Sequence, residues 1–297
     1  MSETTRTHES TRPNTIALVT DSTCDLPGET HRTLRTVVVP LHVTVNNTDY
    51  LDRVDLDSAT FFRLFRESGQ VARSSQPSAG EFQDVYERLL ETHDAVVSVH
   101  IAGKVSGTVQ SASTAARKVD PQRVRVVDAR HVSVGLGLVV KAAGEAILAG
   151  QTLDEVVATA EKATRDTRVY SAVESLDAAV RGGRLSAGVA RVLESIAFKP
   201  LIVFDEDGGV HTGGARLGFS RALRATVDRV AKFADGGPVD LAVSHADGPA
   251  AAEYVHRRLA QHFSDTTIPI VEVGAVITTH VGLGTIAIAV RRLQPGA

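Results

Sequence analysis

The chain of 297 residues holds one cysteine, one methionine and no tryptophan, with nine Phe and four Tyr as its remaining large aromatics. Each scarcity excludes something. A single thiol, Cys24, can form neither an internal disulfide nor a thiolate metal set, which fits a reducing compartment and makes a cytosolic setting the expectation. So few aromatics argue against a stacking platform for nucleic-acid bases. Charge of one sign is lacking as well, because 32 Lys+Arg stand against 35 Asp+Glu and leave a net −3. Without a basic stripe there is little to gain from counterion release, so no nucleic-acid partner is expected. Long apolar runs are missing too. The most hydrophobic stretch, 132–149, is interrupted by Lys141 and Glu145 and is too short and too charged for a bilayer, so no transmembrane segment is expected. The first 14 residues are polar and lack an apolar signal core, so they read as a disordered lead-in.

What is present is an average globular balance, 43% hydrophobic and 23% charged with a mean hydropathy of +0.00. The core must therefore be built mainly from Val, Leu, Ile and Ala. At about 100 to 200 residues per domain, the length suits one large or two ordinary domains.

From Ile16 onward, β-branched apolar runs alternate with stretches of helical period, the pattern of an α/β protein. Strands are expected at 16–20, 37–45, 94–101 and 123–128, and Pro40 places the second at an edge or at a change of pairing. Helices are expected over 61–67 behind a Ser58 cap, over 108–118, and from a glycine-interrupted stretch to Ala149. Phe82, Val85, Tyr86, Leu89 and Leu90 share one helical face, as do Leu153, Val156, Val157 and Ala160. The polar stretch 165–168 is taken as a domain boundary, dividing the chain into 15–166 and 167–297. Beyond it, a strand at 169–174, a tight turn at 181–184, a helix over 185–196 and a hairpin across Asp207, Gly208 and Gly209 lead into alternating helices and strands at 222–233, 240–244, 250–263, 268–273 and 285–290. The fold class is α/β, with an N-terminal parallel-sheet domain and a mixed α+β C-terminal domain.

Familiar catalytic arrangements fail one by one. No G-x-S-x-G elbow surrounds Ser106, since Lys104 stands two positions before it. Gly103 and Lys104 resemble the end of a phosphate loop, but Val105 replaces the required hydroxyl residue. Neither H-E-x-x-H nor C-x-x-C occurs, so zinc has no ligand set, and Gly135 and Gly137 lack the third glycine of a dinucleotide fingerprint. Four segments remain: DSTCDLP at 21–27, SSQPS at 74–78, SGT at 106–108 and HVGLG at 280–284. In the second and third, hydroxyls stand ahead of helices, where free backbone N–H groups favour an anion such as a carboxylate or phosphate. Each serine alone reads first as a helix cap, and it is the two together, with a histidine between glycines, that favour a ligand.

The order of these segments is similar to that of the DegV family of bacterial fatty acid-binding proteins. The likeness runs from about Ile16 to Val290. It includes VTDSTCDLP at 19–27, VPL at 39–41, YLD at 50–52, the segments at 74–78 and 106–108, QSA at 110–112, Val127 with Asp128, GGR at 182–184, Lys199 with Pro200, and Thr279 and His280 with Gly282 and Gly284.

The resemblance implies a two-domain DegV-like fold holding a long-chain fatty acid between the domains, its tail among aliphatic side chains. By motif, Ser74 and Ser106 would donate to the carboxylate, the backbone N–H groups of Gly107 and Thr108 would add to them, and His280 would be a further donor. Arg184 would serve the carboxylate or a partner protein near the ligand entrance. Ser74 replaces a usual threonine, Leu283 replaces a usual proline, and Cys24 stands where alanine is frequent. The implied role is a monomeric, non-enzymatic carrier without a cofactor, whose bound fatty acid is presented to the catalytic subunit of a fatty acid kinase. Two alternatives stay open: an acyl hydrolase or transferase using Ser106, His280 and Asp21 or Asp128, and a lipid-sensing regulatory protein.

Overall fold

The computed structural model describes residues 15–68, 72–175, 178, 183 and 198–294. The expected lead-in at 1–14, Gly182 and Arg184 of the GGR turn, and the helix expected over 185–196 lie outside the described residues.

Residues of the first half build a parallel sheet in the order β2-β1-β6-β7 from β1 (Ile16–Asp21), β2 (Val37–Val39), β6 (Ala95–His100) and β7 (Val124–Asp128). A sheet buried on both faces needs apolar residues at successive positions, and β1 and β6 are buried throughout. Ile16 and Leu18 face one core, with α5 (Val134–Leu148) and α6 (Leu153–Asp166). Ala17 and Val19 face the other, with α3 (Ala79–Leu90) and α4 (Thr108–Val119). A short helix, α1 (Gly28–Thr33), leads from β1 towards β2.

The run expected as one strand at 37–45 is two strands in two sheets. Pro40 has no N–H for a ladder, and after it β3 (His42–Val45) pairs instead with β4 (Thr48–Leu51) and β5 (Arg73–Ser75). Helix α2 (Ser58–Ser68) follows, and its cap is Asp57 rather than Ser58, because the Thr60 amide donates to Asp57 Oδ1 at 2.7 Å. Ser58 is itself the first helical residue.

The second half forms a six-stranded sheet ordered β10-β9-β8-β13-β11-β12. Its strands are β8 (Thr167–Ala172), β9 (Phe198–Phe204), β10 (Val210–Leu217), β11 (Val239–His245), β12 (Ile270–Glu272) and β13 (Ile286–Arg292). All pairs are antiparallel except β11 with β12. Helices α7 (Phe219–Ala234) and α8 (Pro249–His262) cover one face through Leu223, Val227, Val255 and Leu259. The other face receives Val134 and Leu138 of α5 against Val169, Ala242, Ala287 and Ala289.

Helix α5 therefore contributes to the cores of both sheets. It is apolar nearly all round, and such a helix must be buried on several sides. Gly135 makes the close approach possible, since a Cβ there would lie 2.4 Å from Val169 Cγ2. The most hydrophobic stretch of the sequence is thus the shared centre of the molecule, and among the described residues no helix is long and apolar enough to cross a membrane. A last helix, α9 (Ala275–Val281), comes from the second half of the chain but packs on the small sheet, where Ala275 and Val276 join Leu41, Val43, Phe61 and Phe62.

Candidate functional site

A cavity lies where α9, the small sheet, the loop after β6 and the β8–β9–β10 wall meet. It contains about 870 Å³ of empty space including its mouth. Leu41, Val276, Ile277 and Val281 line one side, Ile101, Val105 and Val132 a second, and Val173, Ile202, Phe204 and Val210 a third. Its polar lining is Ser74, Ser75, Gln76, Ser106, Ser175 and His280. A mostly aliphatic pocket with a few convergent polar groups is the usual form of a small-molecule site.

The polar groups come from separate elements. Ser74 lies on β5, where it pairs with Val43, and not directly ahead of a helix as the sequence suggested. The cap of α3 is Ser78, which accepts from the Glu81 amide at 3.2 Å while Glu81 takes the Ser78 amide at 2.8 Å. Ser74 is thereby spared from capping, and its Oγ is hydrogen-bonded to His280 Nε2 at 2.8 Å across 206 residues of chain. His280 sits in the last turn of α9 rather than in a loop between glycines. Ser106 also lines the cavity, but its Oγ is engaged with Thr108 Oγ1 at 2.8 Å and accepts from the Thr108 amide at 3.3 Å. That bond takes up the Thr108 N–H that was expected to meet a ligand. Gly107 and Thr108 stand behind Ser106 and are not among the lining residues, and Thr108 is fully buried. Gly107 leaves room for Gln76, whose Nε2 would be 2.9 Å from a Cβ at that position. The sequence reading passed over Gln76, Ser75 and Ser175.

The candidate hydrolase carboxylates are engaged elsewhere. Asp21 Oδ2 bonds to His100 Nδ1 at 3.0 Å and accepts from the Ile101 amide at 3.0 Å, and Oδ1 accepts from the Thr23 amide at 3.1 Å. His100 continues through Ser98 Oγ at 2.7 Å to the Tyr86 hydroxyl at 2.8 Å, and all four side chains are buried. This histidine, serine and aspartate chain has no opening to the cavity lining. Asp128 accepts from the Gly103 and Arg130 amides.

A second polar cluster adjoins the start of α9. Asp25 accepts from the Arg53 guanidinium, from Ser133 Oγ at 2.5 Å and from the Gly274 amide at 3.3 Å. Asp52 Oδ1 accepts from the Ala275 amide at 3.1 Å, while its buried Oδ2 has no partner among the described residues. Burial is the largest influence on both carboxyls and raises them against the pull of Arg53, Asp52 to about 6. Burial also pushes the Cys24 thiol up, so this cysteine is a poor nucleophile.

Residues 15–293 match the family described as "Uncharacterised protein, DegV family". A DegV domain-containing protein of Deinococcus radiodurans is 35% identical over 282 residues, which is 94% of this chain and 99% of that protein. Among solved structures, a DegV family protein from Thermus thermophilus described as fatty acid binding is 34% identical. It superposes with a TM-score of 0.88 over 94% of this chain and 100% of its own. DegV from Bacillus subtilis, described as a fatty acid binding protein, is 28% identical, with a TM-score of 0.86 over 94% and 100%.

Proposed function

Because the chain belongs to the DegV family, we propose that its cavity binds a long-chain fatty acid. The observation that carries the reading is the pairing of an aliphatic lining with the Ser74 and His280 couple and Ser106 at its polar end. The carboxylate sits at Ser74 and His280, with Ser106 as the second hydroxyl donor once it turns from Thr108. The tail lies along Ile101, Val132, Ile202 and Phe204. Each buried methylene is worth ~0.8 kcal/mol, so a long chain gives ample affinity without any catalytic group. Gly107 and Thr108 support Ser106 rather than touching the ligand. Similarity to DegV proteins described as fatty acid binding supports the same assignment.

The finer proposal is that the protein is a non-enzymatic carrier, presenting the bound carboxylate to the catalytic subunit of a fatty acid kinase for acyl-phosphate formation. The engagement of Asp21 by His100 and of Asp128 by backbone amides favours carriage over the hydrolase alternative. Delipidated protein is expected to take up one palmitate by native mass spectrometry, and Ser74→Ala with His280→Ala is expected to abolish most of it. Absence of uptake by the wild type overturns the reading. Acyl-phosphate formed by a fatty acid kinase with ATP only when the loaded protein is added supports the carrier step, and equal rates without it refute that step.

A further inference from the structure

We infer that Asp52, with Asp25 beside it, is a positioning residue for the fatty acid head group, acting through helix α9 and its His280. The inference rests on the fatty acid reading above.

Helix α9 has seven residues, far too few to hold its own shape in water. It is fixed at both ends by the other half of the chain. At its N-terminal end the Gly274 amide donates to Asp25 and the Ala275 amide to Asp52, across 249 and 223 residues of sequence. At its C-terminal end His280 meets Ser74 of β5. A helix rises ~1.5 Å per residue, so about 8 Å of rigid backbone links the two anchor points. Within it, Thr278 and Thr279 donate to the Gly274 and Ala275 carbonyls, stiffening the first turn.

The carboxylates are themselves held. Arg53 donates to Asp25, to the Glu272 carbonyl at 3.1 Å and, through Nε, to the Ser22 carbonyl at 3.1 Å. The assembly is tight at Gly274, where a Cβ would lie 3.1 Å from Arg53 Nε and 3.2 Å from Asp52 Oδ2. Both aspartates belong to segments singled out in the sequence, DSTCDLP and YLD, and neither lines the cavity. What joins them to it is the helix they cap. Removing the acceptor at Ala275 frees the start of α9, and the displacement is delivered at His280.

The test uses the full chain, stripped of lipid, with palmitate and with hexadecanol, which has the same chain and no carboxylate. Asp52→Ala is expected to weaken palmitate about tenfold, to leave hexadecanol within about twofold, and to move the His280 imidazole titration seen by NMR. Asp52→Asn, which keeps an acceptor for the Ala275 amide, restores palmitate affinity. Ala275→Pro removes the donor instead, at a first-turn position that tolerates proline after the extended Gly274 (φ −69, ψ 169). It reproduces the Asp52→Ala split and serves if that variant fails to fold. Unchanged palmitate binding in a folded Asp52→Ala or Ala275→Pro protein overturns the inference, as does equal loss of both probes. Failure of the wild type to bind palmitate overturns the fatty acid reading itself, a distinct result.

Discussion

Asp21 and Asp25 stand four residues apart at the end of β1, both buried, and they are used in opposite ways. Asp21 serves its own neighbourhood: its partners are Thr23 and the His100 and Ile101 pair on the adjacent strand, and each of its oxygens is satisfied. Asp25 and its companion Asp52 reach out of their half of the chain, to the Gly274 and Ala275 amides. One cluster closes a sheet; the other ties distant segments together around a site. Buried carboxylates need hydrogen-bond donors wherever they stand, and the source of those donors decides which segments they hold together.

Arg53→Ala tests that contrast most severely. It leaves two buried carboxylates without their cation, and the expected loss is about 3–5 kcal/mol in urea unfolding. A loss below about 1 kcal/mol would mean that the cluster is wetter than it looks. Asp52→Asn should act in the other direction. Burial raises the Asp52 carboxyl from 3.8 to about 6, so its contribution to stability is complete below pH 3.8 and lost as pH rises through 6. Replacing it relieves up to about 3 kcal/mol at pH 7. His131 runs opposite. Burial lowers it from 6.5 to about 4, so its contribution is complete above pH 6.5 and lost as pH falls through 4. Between pH 4 and 6 the contributions of Asp52 and His131 therefore run with opposite slopes. The urea midpoint of Asp52→Asn measured against the wild type should therefore rise as pH goes from 4 to 6 and stay level above it.

Asp21→Asn turns one acceptor into a donor facing buried N–H groups, for an expected loss of about 2 kcal/mol by thermal melting. Palmitate affinity should hold, in contrast to Asp52→Ala. The smallest effect is expected at Ser78→Ala, about 1 kcal/mol by the same melt. That cap lies within three residues of its partner, Glu81, and sharpens the contrast with α9, whose caps come from the far side of the chain.

Local signals of this kind were legible in the sequence. The strands of both large sheets follow their β-branched runs, α3 and α6 follow their apolar faces, and Pro40 marks the change of pairing. Helix α9 was not legible, because seven residues rich in Val, Ile and Thr carry neither helical propensity nor a full period. Ser74 was read as part of a helix entry, since three residues of β5 are too few to show alternation. Ser74, Ser106 and His280 stand out through motif order while Ser75, Gln76 and Ser175 of the same lining do not, and Asp25 and Asp52, in the same motifs, have no visible task. Their partners lie more than 220 residues away, and nothing local announces such a meeting.

Helix α5 has a further consequence for the way the molecule comes apart. Val134 and Leu138 complete the core of the six-stranded sheet while Leu136, Val139 and Val140 complete that of the parallel one. Neither sheet can melt while this helix stays in place, and neither can keep its interior dry once it leaves. Two sheets that share one interior element are thermodynamically a single cooperative unit, so heating should show one calorimetric peak whose van't Hoff and measured enthalpies agree.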